Sequence, residues 1–160
     1  MFRYYCLKKI LTGFIFLSFL FKSAFAENNL VIEVAGEASG KIEITLSPVL
    51  APLHVERIKA LVSSNSYDGV VFHRVIDGFM AQTGDIEFGN IQAFNPSLVG
   101  RGGSSFPNLP SEFSDAPFVE GTVGMARSQD PNSANSQFFI MFKPAPHLNN
   151  KYTVIGMVSS

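Results

Sequence analysis

Hydrophobic and polar residues alternate with a period of two along the segment GKIEITL, from Gly40 to Leu46. Such alternation is typical of a β-strand that buries one face and exposes the other. A second strand-like segment, Leu30 to Gly36, precedes it, and the residues GEASG between the two contain the glycines that a turn favours. The pattern therefore predicts an antiparallel hairpin at the start of the domain.

The period then changes to that of a helix. Ile58, Leu61 and Val62 stand at helical spacing, so we expect these three residues to face the core. Pro52 fits the entrance of a helix rather than its interior. The pattern predicts a helix from Pro52 to Ser63.

Short strand-like segments continue after the helix. Val70 to Arg74 and Phe79 to Thr83 flank the turn residues IDGF, and three further strands are predicted in the segments GTVGMAR, SQFFIMF and KYTVIGMV. Between them, Ile86 to Pro110 is rich in Gly, Asn, Pro and Ser, which predicts a long surface loop. Many short strands with one helix predict a mostly-β domain with a closed or nearly closed sheet.

The first 26 residues differ from the rest of the chain. Three basic residues in MFRYYCLKK precede the apolar run ILTGFIFLSFLF, and the small-x-small end Ala24-Phe25-Ala26 follows. This is the pattern of a secretory signal peptide, and the apolar run is shorter than the roughly 20 residues that span a bilayer. We expect cleavage after Ala26, which leaves residues 27–160 as a single domain. An uncleaved N-terminal anchor is the alternative.

Composition narrows the function classes. The chain is 46% hydrophobic and 16% charged, which fits a globular protein. Without the signal peptide it carries eight basic and 13 acidic residues, a net charge of −5, which argues against nucleic-acid binding. Cys6, the only cysteine, leaves with the signal peptide, so we expect no disulfide and no thiol chemistry in the exported domain.

Metal, hydrolytic and phosphoryl-transfer chemistry have little support in the sequence. The histidines, His54, His73 and His147, lack metal-binding spacing. No Ser lies in a G-x-S-x-G motif, and the segment GRGG precedes no predicted helix that would bind phosphate. We expect His54 to lie on the helix surface and His73 to be a hydrogen-bonded histidine of the core.

Arg74 is the residue that stands out on its strand. Alternation places it on the same side as Phe72, and a lone Arg among apolar neighbours is costly unless it is paired or used. From the residues alone, a structural and a functional role both stay open. Phe79 and Met80 by themselves indicate core rather than a pocket.

The segments FHRVIDGFMAQTGD and GMARSQDPNSANSQFFI resemble the two signature motifs of the cyclophilins, which are peptidyl-prolyl cis-trans isomerases. The segments YDGVVFHRVI and KYTVIGMV also match, so the resemblance covers nearly all of Leu30 to Val158, and the Met-Ala-Arg form of the second motif resembles bacterial members. The resemblance implies a closed antiparallel β-barrel of eight strands with two capping helices. It also implies an active site in a shallow groove on the outer face.

The same resemblance assigns residues to that groove. Arg74 is implied to be the catalytic residue, and Gly100 falls on a flexible loop beside the groove. The side chains implied to line the proline pocket are Phe79, Met80, Phe139 and Leu148, with His147 and Tyr152 at its edge. Those implied to line the groove and bond to the peptide backbone are Gln82, Ala126, Arg127 and Gln137. No cofactor and no metal is implied.

Several positions depart from the family pattern. Asp77 replaces a common Pro at a turn tip, where we expect no loss, and Thr83 stands where Gly is usual. The loop Ile86 to Leu98 is longer than typical. His147 replaces an aromatic residue that contacts cyclosporin, so we expect weak cyclosporin binding, and Tyr152 replaces a His. Family members continue past GMV through a helix and a final strand, so we expect a truncated barrel with an open edge.

The expected function is that of a prolyl isomerase in the periplasm, or secreted, that assists the folding of exported proteins. Its expected partners are unfolded or partly folded polypeptides that contain proline, without nucleic acid and without membrane after signal cleavage, and we expect a monomer. The alternatives are a non-catalytic module or chaperone that binds proline-containing segments, and a truncated, inactive relative. The isomerase and the binding module differ in whether Arg74 matters.

Overall fold

Seven β-strands and one α-helix form the regular structure of residues 28–160, the part of the chain that the computed structural model describes. The strands are β1 (Asn29–Val34), β2 (Gly40–Leu46), β3 (Arg74–Ile76), β4 (Met80–Thr83), β5 (Thr122–Met125), β6 (Phe138–Met141) and β7 (Val154–Val158). The helix α1 spans Pro52–Ser63, and a short 3-10 helix covers Pro146–Leu148. The predicted signal peptide, residues 1–26, lies outside the described residues.

All strand pairs are antiparallel and form one curled sheet in the order β1-β2-β7-β5-β6-β4-β3. The predicted mostly-β, antiparallel architecture is therefore confirmed. The described residues supply seven strands and one α-helix rather than the eight strands and two helices of the family. In the part of the chain that the structure describes, the sheet is open between its edge strands β1 and β3. Within residues 28–160, no helix has the length and apolar character needed to cross a bilayer.

The local patterns at the start of the domain predict its structure well. The hairpin of β1 and β2 is confirmed, and in β2 the residues Ile44 and Leu46 are buried while Thr45 between them is exposed. The helix begins and ends where its periodicity and Pro52 predict. Val62, however, is 39% exposed, so its predicted place in the core is wrong.

The strand predicted over Val70 to Arg74 is wrong in its position, because β3 spans Arg74–Ile76 and shares only Arg74 with it. Val70 makes an isolated bridge with Asn90 of the long loop. The carbonyl of Val71 accepts a hydrogen bond from Thr83 Oγ1 at 3.0 Å. Val70 and Val71 therefore bond to a loop residue and to a side chain, and not to the backbone of a neighbouring strand. The Thr that departs from the family pattern thus has a structural role here.

The central strands β5 and β6 are buried on both faces. Because side chains alternate along β6, Phe138 and Ile140 join the cluster under α1, which includes Val55 and Ile58 of the helix. A second, smaller cluster lies on the opposite face. Its buried members are Met80, Phe118, Phe139, Met141, Ala145, Leu148 and Val154. Burial of each such large apolar side chain stabilises the fold by roughly 1.5–3 kcal/mol. The second cluster is therefore a well-packed base for the side chains that project from this face of the sheet.

The first turn of α1 is capped by a residue that is distant in sequence. Ala51, at the N-cap position, offers no side-chain acceptor, so the free N–H groups of the first turn need another partner. Glu112 supplies it, because its two carboxylate oxygens accept hydrogen bonds from the N–H groups of Leu53 and His54, each at 3.1 Å. The negative charge also lies at the positive end of the helix dipole.

His54 is buried in the core and does not lie on the helix surface, so that prediction is wrong. Its Nδ1 lies 2.6 Å from a Glu112 carboxylate oxygen, and its Nε2 has no hydrogen-bond partner among the described residues. Burial lowers the pKa of His54, an effect that the Glu112 carboxylate opposes. This geometry fits a neutral imidazole whose Nδ1–H donates to Glu112, since a proton on Nε2 would be buried and unsatisfied.

The stability of the domain should therefore fall in mild acid. The pKa of His54 is lower in the folded state than its ordinary value of 6.5, so below about pH 6.5 the unfolded chain binds more protons and the free energy of unfolding decreases. Urea unfolding between pH 8 and pH 5.5 measures this slope. His54→Asn, which keeps a donor near Nδ1 but does not titrate, should reduce this slope, and His73, whose pKa burial also lowers, supplies the part that remains. The exposed His147 gives the matched control, His147→Asn, and an equal slope in all three proteins would contradict the prediction.

Candidate functional site

Strand register aligns the central residues of the site in one row. Arg74 lies opposite Gln82 in the pairing of β3 with β4, and Gln82 lies opposite Phe139 in the pairing of β4 with β6. Phe139 in turn lies opposite Gly124 in β5. Directly paired residues project on the same face of a sheet, so an Arg, a Gln and a Phe stand side by side above the second apolar cluster.

Gly124 leaves the space in which the aromatic floor of the site is built. A Cβ atom at this position would lie 2.6 Å from Phe118 Cε1 and 2.7 Å from Phe139 Cζ. Without that atom, the rings of Phe118 and Phe139 stack with centroids 5.7 Å apart and an interplanar angle of 20°. Tyr152 meets Phe139 edge-on at 5.7 Å. Such arrangements are the favoured geometries of aromatic pairs.

An apolar pocket of about 390 Å³ opens over this floor. Met80, Phe139 and Leu148 are buried beneath it, and Phe79 stands at the rim with its ring stacked on the exposed His147 at 6.0 Å. The residues that line the pocket are Arg74, Phe79, Met80, Gln82, Ala126, Arg127, Phe139, His147, Leu148 and Tyr152. All ten were predicted from the sequence as site residues.

A second cavity of about 340 Å³ adjoins the first, and the two share Gln82, Ala126 and Arg127. The two remaining predicted site residues, Gly100 and Gln137, line this second cavity. The structure thus brings all twelve predicted residues together along one groove. The second cavity also has walls that the sequence did not indicate, formed by Arg101, Gly102, Ser128, Ser133 and Asn135. These residues lie in loops, where no periodicity marks a functional side chain.

A chain of hydrogen bonds runs along the groove from the first cavity to the second. Arg74 Nη1 donates to Gln82 Oε1 at 3.3 Å, and Gln82 Nε2 donates to Gln137 Oε1 at 2.9 Å. Gln137 Nε2 then donates to the carbonyl of Gly102 at 2.8 Å. A guanidinium can only donate and a carbonyl can only accept, so the two ends of the chain define the orientation of both amides.

Arg127 lies in the groove, but its guanidinium is committed to the protein backbone. Its Nε and Nη2 donate to the carbonyl of Lys151 at 3.1 and 2.8 Å, and its Nη1 donates to the carbonyl of Ser128 at 2.8 Å. The guanidinium carbon also lies 4.5 Å from the centroid of the Tyr152 ring. Arg127 therefore ties the wall of the groove to the segment that precedes β7, and its predicted contact with peptide backbone stays a prediction.

His73 is half-buried behind the groove and is not the hydrogen-bonded core residue that we expected. Neither ring nitrogen has a partner in good hydrogen-bond geometry among the described residues. Burial lowers the pKa of His73, while the negative charge of Asp85 opposes that effect. The Gln137 side chain and the Val71 backbone also lie close enough to raise this pKa. A Cβ atom at Gly100 would lie 3.4 Å from His73 Cδ2, so the ring serves as a surface on which the loop rests.

The arrangement offers a positive donor beside an apolar pocket and no nucleophile aimed at it. Within residues 28–160, no group of three or more His, Cys, Asp or Glu side chains could hold a metal ion. The pocket is open to solvent at the side where Arg74 is exposed. The site can therefore bind an apolar ring and direct N–H groups at an atom next to it.

Comparison with known proteins shows that this chain is similar to peptidyl-prolyl cis-trans isomerases of the cyclophilin type. A family model described as "Cyclophilin type peptidyl-prolyl cis-trans isomerase/CLD" matches residues 30–160. A protein of Brucella suis named "Probable peptidyl-prolyl cis-trans isomerase" is 58% identical over 135 residues, which cover 84% of this chain and 67% of the relative. The rat "Peptidyl-prolyl cis-trans isomerase-like 3" is 43% identical over 123 residues, or 74% of this chain and 70% of the relative.

Solved structures show the same likeness. The crystal structure of the cyclophilin AquaCyp293 from Hirschia baltica matches with a TM-score of 0.67 and 27% identity, over 82% of this chain and 64% of that one. A cyclophilin-type isomerase from Cryptosporidium parvum, crystallised in the presence of the dipeptide Ala-Pro, matches with a TM-score of 0.65 and 29% identity, over 76% and 73% of the two chains. The chain thus spans 67% of the length of the Brucella suis relative and 64% of that of AquaCyp293.

The floor of the site should be sensitive to a single added methyl group. Gly124→Ala would force the stacked pair of Phe118 and Phe139 apart, and we expect a loss of about 1–3 kcal/mol in the free energy of unfolding. Gly40→Ala, where no atom lies within 4 Å of the new Cβ, is the matched control and should change that free energy by less than about 0.5 kcal/mol. Urea unfolding of both variants gives the comparison. Equal effects would mean that the aromatic pair tolerates displacement.

Proposed function

The chain belongs to the family of cyclophilin-type peptidyl-prolyl cis-trans isomerases, and from this premise we propose that it accelerates rotation about Xaa-Pro bonds in polypeptide chains. The observation that carries the proposal is the position of Arg74, held by Gln82 at the edge of an apolar pocket. The Cryptosporidium cyclophilin that was crystallised with Ala-Pro supports a proline-containing peptide as the substrate class.

The reaction explains why the site needs no nucleophile. Rotation about the peptide C–N bond breaks no covalent bond, and its barrier of about 18–20 kcal/mol comes from amide resonance. A donor that hydrogen-bonds to the prolyl nitrogen localises the lone pair on that nitrogen and weakens the resonance. This interaction strengthens as the nitrogen becomes pyramidal, so it favours the transition state over both ground states.

Arg74 is suited to that donor role by its chemistry and its surroundings. Among the described residues it makes one hydrogen bond, to Gln82, so most of its five N–H groups stay available to a substrate. The guanidinium remains charged at all relevant pH values and presents its donors in a rigid, planar fork. Arg can thereby reach the prolyl nitrogen and a neighbouring carbonyl together, whereas the ammonium group of Lys is a point charge.

The apolar pocket supplies the other half of the proposed mechanism. Met80, Phe139 and Leu148 form a buried floor that would hold the proline ring, and Phe79 closes the rim. With the ring fixed, the preceding carbonyl turns relative to it while Arg74 acts at the nitrogen between them. Uncatalysed Xaa-Pro isomerisation takes tens to hundreds of seconds, so a modest lowering of the barrier would matter to a folding chain.

Arg74 variants test the proposal directly. Arg74→Ala should lower kcat/KM for isomerisation of a short Xaa-Pro peptide by about 10²–10³-fold, the range typical of a lost transition-state donor. Arg74→Lys should recover only a small part of the rate, because the fork is missing. Lys41→Ala, which removes an exposed cation paired with Glu33, is the matched control and should leave the rate unchanged.

Peptide binding measured on the same variants separates catalysis from binding. If Arg74→Ala loses isomerisation but keeps its affinity for a proline-containing peptide, Arg74 serves the transition state. If the wild-type protein binds such peptides and accelerates nothing, the chain is the non-catalytic binding module. A protein that shows no cooperative thermal unfolding transition is the inactive relative.

We further propose that residues 1–26 direct export and that the isomerase assists folding in the bacterial periplasm. The basic start, the apolar run and the Ala-Phe-Ala end support this, as does the likeness to proteins of Brucella. Mass spectrometry of the cell-fractionated protein should find a mature N-terminus at Glu27 in the periplasm. Phe16→Arg, which interrupts the apolar run, should leave the uncleaved chain in the cytoplasm. A wild-type chain that starts at Met1 and stays in the cytoplasm would refute export.

A further inference from the structure

A buried carboxylate lies directly behind the candidate site. Asp85 follows β4 by two residues and has no exposed surface. Its Oδ1 accepts hydrogen bonds from the N–H groups of Glu87 and Phe88 at 3.2 and 2.9 Å. Its Oδ2 accepts from the N–H groups of Gly100 and Gly102 at 2.6 and 3.0 Å. Among residues 28–160, no Lys or Arg forms a salt bridge with it. All four of these hydrogen-bond donors to the carboxylate are therefore backbone N–H groups.

These four donors come from the start and the middle of the long segment between β4 and β5. Asp85 thus joins the start of the loop, at Glu87 and Phe88, to residues Gly100–Gly102, which line the second cavity. The approach is so close that only glycine fits at the contact. A Cβ atom at Gly102 would lie 2.8 Å from both Glu87 Cβ and Phe88 Cδ2. The position of Gly102 is consequently set by Asp85 rather than by strand pairing.

Gly102 connects this anchor to the groove. Its N–H donates to Asp85, and its carbonyl accepts the Gln137 side-chain amide at 2.8 Å. Through Gln137 and Gln82 the series of hydrogen bonds reaches the guanidinium of Arg74. One continuous path therefore links a buried anion to the exposed cation of the site, and every donor along it points toward the anion. The N–H and the carbonyl of Gly102 belong to successive peptide groups, so the anchor acts on Gln137 by fixing the position of that carbonyl.

We propose that Asp85 is a positioning residue for Arg74, acting through Gly102, Gln137 and Gln82, an inference that rests on the proposed isomerase function. The carboxylate fixes the carbonyl that orients the Gln137 amide, and that amide orients Gln82. Gln82 Oε1 then holds one face of the guanidinium and leaves its other donors directed at the pocket. Without the anchor, both amides can rotate and Arg74 gains alternative conformations in which its donors miss the substrate nitrogen.

Asp85→Asn is the variant that tests the path with the least change in shape. The amide keeps one acceptor oxygen but places an NH₂ group against two backbone N–H donors, so one pair of anchoring bonds is lost. We expect kcat/KM for an Xaa-Pro peptide to fall by about ten- to a hundredfold, as small misplacements of a catalytic group do. Asn95→Ala is the matched control in the same loop. It removes the hydrogen bond from Ser97 N–H to the Asn95 side chain without touching the path, and it should leave kcat/KM unchanged.

A double-mutant cycle with Gln82→Ala separates positioning from general loss of structure. If Asp85 acts along the path, Asp85→Asn should cost less than about twofold once Gln82 is already absent, because the two changes break one series of bonds. Costs that simply multiply in the double variant would overturn the proposal. Gly102→Ala, which pushes the loop backbone away from Asp85, breaks the same link from the other side. It replaces Asp85→Asn in the cycle if that variant does not fold.

Nuclear magnetic resonance of the free protein gives a readout that does not depend on catalysis. In Asp85→Asn or Gly102→Ala, the side-chain amide signals of Gln137 and Gln82 and the Nε–H signal of Arg74 should all shift, while Asn95→Ala leaves them in place. Unmoved Gln82 and Arg74 signals would refute the path even if activity fell. If the wild-type protein accelerates no isomerisation, the proposed function fails on its own, and these signals still decide whether Asp85 positions Arg74.

Discussion

The register of three antiparallel pairings, β3 with β4, β4 with β6 and β6 with β5, is the constraint on which the candidate site depends. It places Arg74, Gln82 and Phe139 in one row and ends that row at Gly124. A slip of one residue in any pairing would turn the side chains of that strand to the opposite face. In β6 such a slip would exchange Phe138, of the cluster under α1, with Phe139, and would remove from the pocket the ring that stacks on Phe118.

The two halves of the groove are held in position by different forces. The apolar pocket stands on close packing, in which the missing side chain of Gly124 admits the stacked rings of Phe118 and Phe139. The polar wall stands on directed hydrogen bonds that reach from Gln82 through Gln137 to a loop carbonyl. Both halves are in place before any substrate arrives. Such preorganisation is what allows a donor to stabilise a transition state without a reorganisation cost.

Local periodicity predicted the elements whose partners are close in the chain. The hairpin of β1 and β2 and the full extent of α1 followed from alternation, spacing and Pro52, and the site residues followed from the resemblance of two motifs. The failure at His54 and the missed loop walls share one physical cause, which is a partner distant in sequence. The burial of His54 depends on Glu112, 58 residues away, whose carboxylate hydrogen-bonds to its ring and its backbone N–H. The loop walls at Arg101 and Asn135 reach the groove through contacts that no local pattern encodes.

The hydrogen-bond partners of the acidic side chains help to explain why the positive charge of Arg74 in the groove is not neutralised. The carboxylate of Glu112 accepts hydrogen bonds from the N–H groups at the start of α1, and that of Asp85 accepts them from N–H groups of the loop. Neither carboxylate pairs with an arginine of the site. Among the described residues, Arg74 is held by the neutral amide of Gln82, and no carboxylate lies within salt-bridge distance of it. A carboxylate partner would fix Arg74 as firmly, but it would also compensate the positive charge. A neutral partner orients the guanidinium and leaves its charge available to the nitrogen of a bound proline, where the proposed mechanism requires it.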